Sequence, residues 1–251
     1  MPHFIGILAL LLLARIAVVA ADSFPDPMQT PQKFERNLKK KVSLKYLLYL
    51  PKDYKPRGKQ RWPLVLFLHG SGERGTNLTA VAVHGPPKLA KQRRDFPFIL
   101  ISPQCPHDEA WSNDVLFVLL DEMAKKHRVD TNRIYVTGLS MGGYGAWALA
   151  TAQPERFAAM APICGGGDTI RVLLAEGKRR QALKELPIWA FHGAKDQVVP
   201  LEESERMIEA FKRLGNSKVK LTVYPDAAHD SWTETYTDPK LYDWLLQHER
   251  R

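Results

Sequence analysis

Cysteine is scarce: Cys105 and Cys164 are the only two in a chain of 251 residues. Two thiols cannot build a disulfide framework, and neither has the Cys-x-x-Cys or Cys-x-x-His neighbour of a structural zinc site. The chain has no Gly-x-x-x-x-Gly-Lys-Ser/Thr phosphate loop and no His-Glu-x-x-His helix. The pair Gly70 and Gly72 lacks the third glycine of a dinucleotide fingerprint. No cofactor or metal is therefore implied. Basic residues exceed acidic ones, 36 to 27, for a net charge of +9. They fall in short groups such as Lys39 to Lys41, Lys88 to Arg94 and Lys178 to Arg180, without interleaved aromatics or a nucleic-acid motif. That pattern is a solvated surface, and no nucleic-acid partner is expected.

Long apolar runs are equally few. Ile5 to Ala21 is almost continuously apolar, broken by Arg15, and ends in Val18-Val19-Ala20-Ala21 ahead of Asp22. This is the form of a cleavable export signal over residues 1–21, with a retained anchor as the alternative reading. A secreted or periplasmic/envelope location follows, with no membrane span after signal removal, because no other segment approaches ~20 apolar residues. Residues 22–33, rich in Pro and polar side chains, read as a linker, and residues 34–251 as one domain.

Within that domain, Leu64 to Leu68 reads Leu-Val-Leu-Phe-Leu, with no polar residue. A strand apolar on both faces belongs inside a sheet covered on both sides. Similar runs recur at Phe98 to Ile101, Arg133 to Thr137, Ala158 to Ile163, Ile188 to Phe191 and Lys220 to Tyr224. Helical stretches alternate with them at Asp114 to His127, Met141 to Gln153, Ile170 to Leu186 and Leu201 to Leu214, and a last helix is expected at Lys240 to His248. Alternation specifies a mostly parallel α/β sheet with helices on both faces. Val42 to Leu50 reads as an antiparallel edge strand, with a possible partner around Phe34 to Lys40.

Functional residues of such sheets gather in loops at the carboxyl ends of the strands. After the strand Ile134 to Val136 comes Gly138-Leu139-Ser140-Met141-Gly142, a Gly-x-Ser-x-Gly in the strand–helix context of a nucleophile elbow. Ser140 is the candidate nucleophile, and the Met141 N–H the first oxyanion donor. The second donor is expected from the glycine-rich loop His69 to Gly75, at the N–H of Ser71 with Gly72 as runner-up. His69 reads as a residue that orients this loop.

A serine hydroxyl needs a base and a group to orient that base. Asp196 and His229 each follow a late strand, in the chain order Ser, acid, His of this fold. Asp168 is the second candidate for the acid, and His192 reads as structural. Trp111, Trp232 and Arg74 stand on loops that should rim the site. Glu73 and Arg74 can pair with each other; an unpaired Arg74 would favour an anionic substrate. The two cysteines follow strands expected to be separated by two others, roughly 14 Å at ~4.8 Å per step, which argues against a bridge between them.

From about Phe34 to Leu246 the chain resembles a group of exported α/β-hydrolases, the predicted peptidases and phospholipase/carboxylesterase-like proteins related to dienelactone hydrolases and feruloyl or acetyl-xylan esterases. The resemblance rests on Tyr49 to Pro51, His69 to Gly75, Ser102 to Pro106 with Trp111, Gly138 to Gly145, Ile163 to Asp168 and His229 to Trp232. It implies an α/β-hydrolase catalytic domain without a large lid, a triad of Ser140, Asp196 and His229, and hydrolysis of small-molecule or polysaccharide esters through an acyl-enzyme. A serine peptidase is the nearest alternative. A non-catalytic carbohydrate-binding protein on a hydrolase scaffold is the alternative of another class.

Overall fold

The computed structural model describes residues 32–250 except 38, 40 and 93. The expected export signal and most of the linker lie outside the described residues. The chain divides into two units, Met1–Lys40 and Lys41–Arg251. In the first, the described residues carry no regular structure, so the partner strand expected around Phe34 to Lys40 is absent from them.

The second unit is built on a seven-stranded sheet of order β1-β3-β2-β4-β5-β6-β7. The strands are β1 (Tyr46–Tyr49), β2 (Trp62–Leu68), β3 (Ile99–Pro103), β4 (Val129–Leu139), β5 (Ala159–Ile163), β6 (Ile188–Gly193) and β7 (Val219–Tyr224). β1 is antiparallel to β3 at the edge, and every other neighbour pair is parallel. All residues of β2 are buried, as an all-apolar sequence requires in a sheet covered on both faces. Side chains alternate across it: Leu64, Leu66 and Leu68 face one core, and Val65 and Phe67 the other.

The first core is closed by α2 (Asn113–Lys126), α3 (Met141–Ala152), α5 (Gly177–Glu185) and α6 (Glu202–Leu214). The second is closed by α1 (Gly85–Lys91), α7 (Trp232–Thr237) and α8 (Pro239–Leu246). The single helix expected over Ile170 to Leu186 is instead two, α4 (Thr169–Leu173) and α5. Gly177, with φ of +53°, starts the second in a conformation that breaks the run. The expected terminal helix is α8, and the Asp238 side chain caps it just ahead of Pro239, separating it from α7. α4 and α5 are the helices of the β5–β6 connection, and no large lid forms among the described residues. No described helix is long and apolar enough to cross a membrane.

Cys105 and Cys164 are free and buried. They follow β3 and β5, with β2 and β4 between them, which is the separation the sequence implies.

Trp147 is among the largest fully buried side chains and packs against Phe211 with ring centroids 5.7 Å apart. Trp147→Ala is expected to lower the unfolding free energy by about 3–5 kcal/mol in urea titrations. Val118→Ala, at a half-exposed position of α2, is expected to change it by no more than about 0.5 kcal/mol. Equal losses would place the core elsewhere.

Candidate active site

β4 delivers Ser140 at its carboxyl end, as the residue that caps α3. Its backbone sits at φ 53° and ψ −119°, a conformation costing roughly 1–3 kcal/mol for a residue with a Cβ. The surroundings enforce it. A Cβ at Gly138 would overlap the carbonyl of Gly142, and one at Gly142 would overlap that of Leu68, so both flanks must be glycine for the turn to close. The Ser140 N–H is fixed to the Ile163 carbonyl at 3.0 Å on β5.

β6 and β7 lead into the loops that carry Asp196 and His229. His229 Nδ1–H donates to Asp196 Oδ2 at 2.8 Å, and His229 Nε2 faces Ser140 Oγ at 3.0 Å. Asp196 Oδ1 accepts the N–H groups of Val198 and Val199, both at 2.9 Å. Its side chain is wholly buried, whereas the His229 side chain is 21% exposed. Burial would raise the Asp196 carboxyl, but the bonds from His229, Val199 and Val198 outweigh it and hold the group below the usual carboxylate range. Asp168 is not in reach of the imidazole: it caps α4 and pairs with Arg171 at 3.3 Å.

The loop after β2 packs on the same turn. His69 Nδ1–H donates to the Gly70 carbonyl at 2.6 Å, and Nε2 accepts the Cys105 N–H at 3.0 Å, so the ring braces the loop from both sides. Burial holds His69 below its ordinary value, which keeps it neutral. The Gly70 N–H is bound by Glu73 Oε2 at 2.9 Å. Ser71 and Met141 begin their helices, so their N–H groups have no partner within them. Glu73 does not pair with Arg74. Its carboxylate is taken by the Gly70 amide, while Arg74 donates to the carbonyls of Ser71 and Glu109 and has no acidic partner among the described residues.

The two tryptophans have distinct surroundings. Trp111 donates from its indole to the His69 carbonyl at 3.1 Å and lies against Gly145, half-buried. Trp232 meets the His229 ring edge-on at 5.1 Å and donates to His84 Nδ1 at 3.3 Å. His192 lies closer to the site than its sequence position suggested: its buried Nε2–H donates to the Val199 carbonyl at 2.9 Å and lies 3.3 Å from Asp196 Oδ2. Its Nδ1 meets Ser204 Oγ of α6 at 2.8 Å, and the same hydroxyl lies 2.9 Å from the Gly165 carbonyl. A histidine one residue past a strand gives no hint of this contact, which depends on how the next loop curls back.

Among the described residues, Cys164, Asp196 and His229 form the one grouping with metal-ligand spacing. Burial pushes the Cys164 thiol up to about 12, and the other two are bound to each other, so the group does not fit a resident metal.

The chain matches the Phospholipase/Carboxylesterase family over residues 108–241, more than half its length and including Ser140, Asp196 and His229. The chain belongs to this family. Across the carboxylesterase-like fold it superimposes on a thermostable esterase with a TM-score of 0.69 and 32% identity, over 90% of this chain and 62% of that one. A ferulic acid esterase shares the fold at a TM-score of 0.62 and 19% identity, over 80% of this chain and 89% of that one. In sequence the chain is similar to a bifunctional acetylxylan esterase/xylanase of Neocallimastix patriciarum, 25% identical over 176 residues, which are 66% of this chain and 23% of that enzyme. The chain thus spans about a quarter of that relative's length. These likenesses place the chain in a carboxylesterase-like family of hydrolases.

A carboxyl with a depressed native pKa contributes stability above its unfolded value and loses it as pH falls through the native one. For this carboxylesterase-family chain, Asp196→Asn removes that titration. The stability difference between wild type and Asp196→Asn in urea is therefore expected to narrow as the pH falls through the ordinary Asp range, about 4, and below it. A difference independent of pH would show that Asp196 titrates normally.

Proposed function

We propose that the chain is a serine carboxylic-ester hydrolase acting through an acyl-enzyme, with Ser140 as nucleophile, His229 as general base and Asp196 as the group that orients His229. The observation that carries this reading is the unbroken line from Ser140 Oγ through His229 to Asp196, 3.0 and 2.8 Å long. As Ser140 Oγ attacks the ester carbonyl carbon, its proton passes to His229 Nε2, and Asp196 stabilises the imidazolium that forms. The carbonyl oxygen gains negative charge and accepts hydrogen bonds from the N–H groups of Met141 and Ser71, aided by the amino end of α3. Collapse expels the alcohol, which takes the proton from His229 and leaves the acyl group on Ser140. Water then attacks with the same base, releasing the acid and restoring the hydroxyl.

The substrate we propose is an acyl or hydroxycinnamoyl ester of a polysaccharide, met outside the cytoplasm as the amino-terminal apolar run suggests. An α/β-hydrolase without a large lid favours a bulky ester. Trp232 beside His229 and Trp111 beside the second oxyanion loop offer faces for a sugar or an aromatic acyl group. Arg74, without an acidic partner among the described residues, favours a substrate that carries an anionic group.

Ser140→Ala and His229→Ala are each expected to lower kcat for p-nitrophenyl acetate by roughly 10⁴–10⁶-fold while leaving unfolding cooperative. Labelling by a fluorophosphonate should vanish in Ser140→Ala. Turnover of methyl ferulate is expected, and turnover of a peptide anilide is not. Cleavage of the anilide with neither ester touched would overturn the ester assignment.

A further inference from the structure

A cavity lies away from the Ser140 site, at the antiparallel edge of the sheet. It encloses about 330 Å³, the lower end of the range for small-molecule sites. The register of β1 and β3 pairs Leu47 with Ser102 and Tyr49 with Leu100, so these four side chains project from one face and form the floor. Ala82, Ala90 and Lys91, from the 3-10 segment Leu78–Ala82 and from α1, close it from above.

The lining is mostly apolar; of its polar side chains, Thr79 donates to Asn77 and the Tyr49 hydroxyl accepts the Phe96 N–H, which leaves Ser102 and Lys91. Ser102 is fully buried, and its hydroxyl has no hydrogen-bond partner. A buried hydroxyl left unpaired is costly, and most such groups in folded proteins are satisfied. Lys91, at the exposed carboxyl end of α1, has no acidic partner among the described residues. The cavity therefore runs from an unsatisfied hydroxyl at its floor, through aliphatic and aromatic walls, to a free ammonium at its mouth.

We propose that this cavity is a binding site for an arylcarboxylic acid with a polar substituent at the end of the ring remote from the carboxylate, of which a hydroxycinnamate is the type. The carboxylate pairs with Lys91, the ring fills the apolar middle, and the remote oxygen hydrogen-bonds with Ser102. The same class of acid is the product of the proposed hydroxycinnamoyl-ester hydrolysis. That link to the reaction rests on the proposed function, whereas the site itself rests only on the cavity and its two polar ends. The roof is also close in sequence to the active-site loops: α1 begins at Gly85, and its neighbour His84 accepts the indole N–H of Trp232.

The test is titration of the isotopically labelled full chain with ferulate, cinnamate and coniferyl alcohol, followed through backbone amide shifts. Ferulate is expected to bind saturably, with shifts clustered on residues 46–49, 82–91 and 100–102. Lys91→Glu should weaken ferulate about tenfold and leave the uncharged alcohol within about twofold. Ferulate should bind more tightly than cinnamate, which lacks the remote oxygen, and Ser102→Ala should erase that difference. Lys91 is exposed, so Lys91→Glu remains a folded reporter even where Ser102→Ala does not. Absence of saturable binding, shifts confined to the neighbourhood of Ser140 and His229, ferulate affinity unchanged by Lys91→Glu, or self-association that buries the same amides without ligand would each overturn the proposal. Ester turnover measured on Lys91→Glu separates the two readings: loss of ferulate binding with turnover intact assigns the binding to this cavity, independently of whether Ser140 is the nucleophile.

Discussion

The close approach of α3 to the ends of β2 and β5 is the constraint from which the rest of the structure follows. Gly142 lies where any side chain would strike the Leu68 carbonyl, and Gly143 where one would strike that of Ile163. With no Cβ in the way, the first turn of the helix seats directly on two strand ends. That seating forces Ser140 into a backbone region residues with a Cβ avoid, and it lifts the hydroxyl clear of the sheet. The rigidity of a fully buried β2 and β5 pair holds the strain in place.

Around this turn the polar groups are almost fully committed. The Asp196 carboxylate accepts two backbone N–H groups and one imidazole N–H, with the His192 ring 3.3 Å away, so its orientation is determined by three donors. His192 extends that control to α6 and to the loop after β5 through Ser204 and Gly165. The Gly70 to Gly75 loop is held in the same manner, through His69, Glu73 and Gln104, whose amide donates to the carbonyls of Glu73 and Asn77. Networks of this kind resist rearrangement, because breaking one bond strands a buried partner.

The residues that set this arrangement were legible in the sequence to different depths. The all-apolar strands, their alternation with helices and the Gly-x-Ser-x-Gly turn are local patterns with one physical reading. The juxtaposition of Asp196 and His229 was inferable from their positions after successive strands. The break at Gly177 was less visible, since a glycine in an otherwise helical run is tolerated as often as it ends one. The contact of His192 with Asp196, the bond from Trp111 to His69, and the failure of Glu73 to pair with Arg74 are set by loop paths and competing backbone partners. No spacing in the sequence encodes those.

Cys105 and Cys164 are buried, unpaired and separated by two strands, with burial raising their thiols to about 11 and about 12. Thiols so reluctant to ionise are poor partners in exchange chemistry. Folding of this chain therefore involves no disulfide, and neither thiol is poised for exchange with the redox couples of its surroundings.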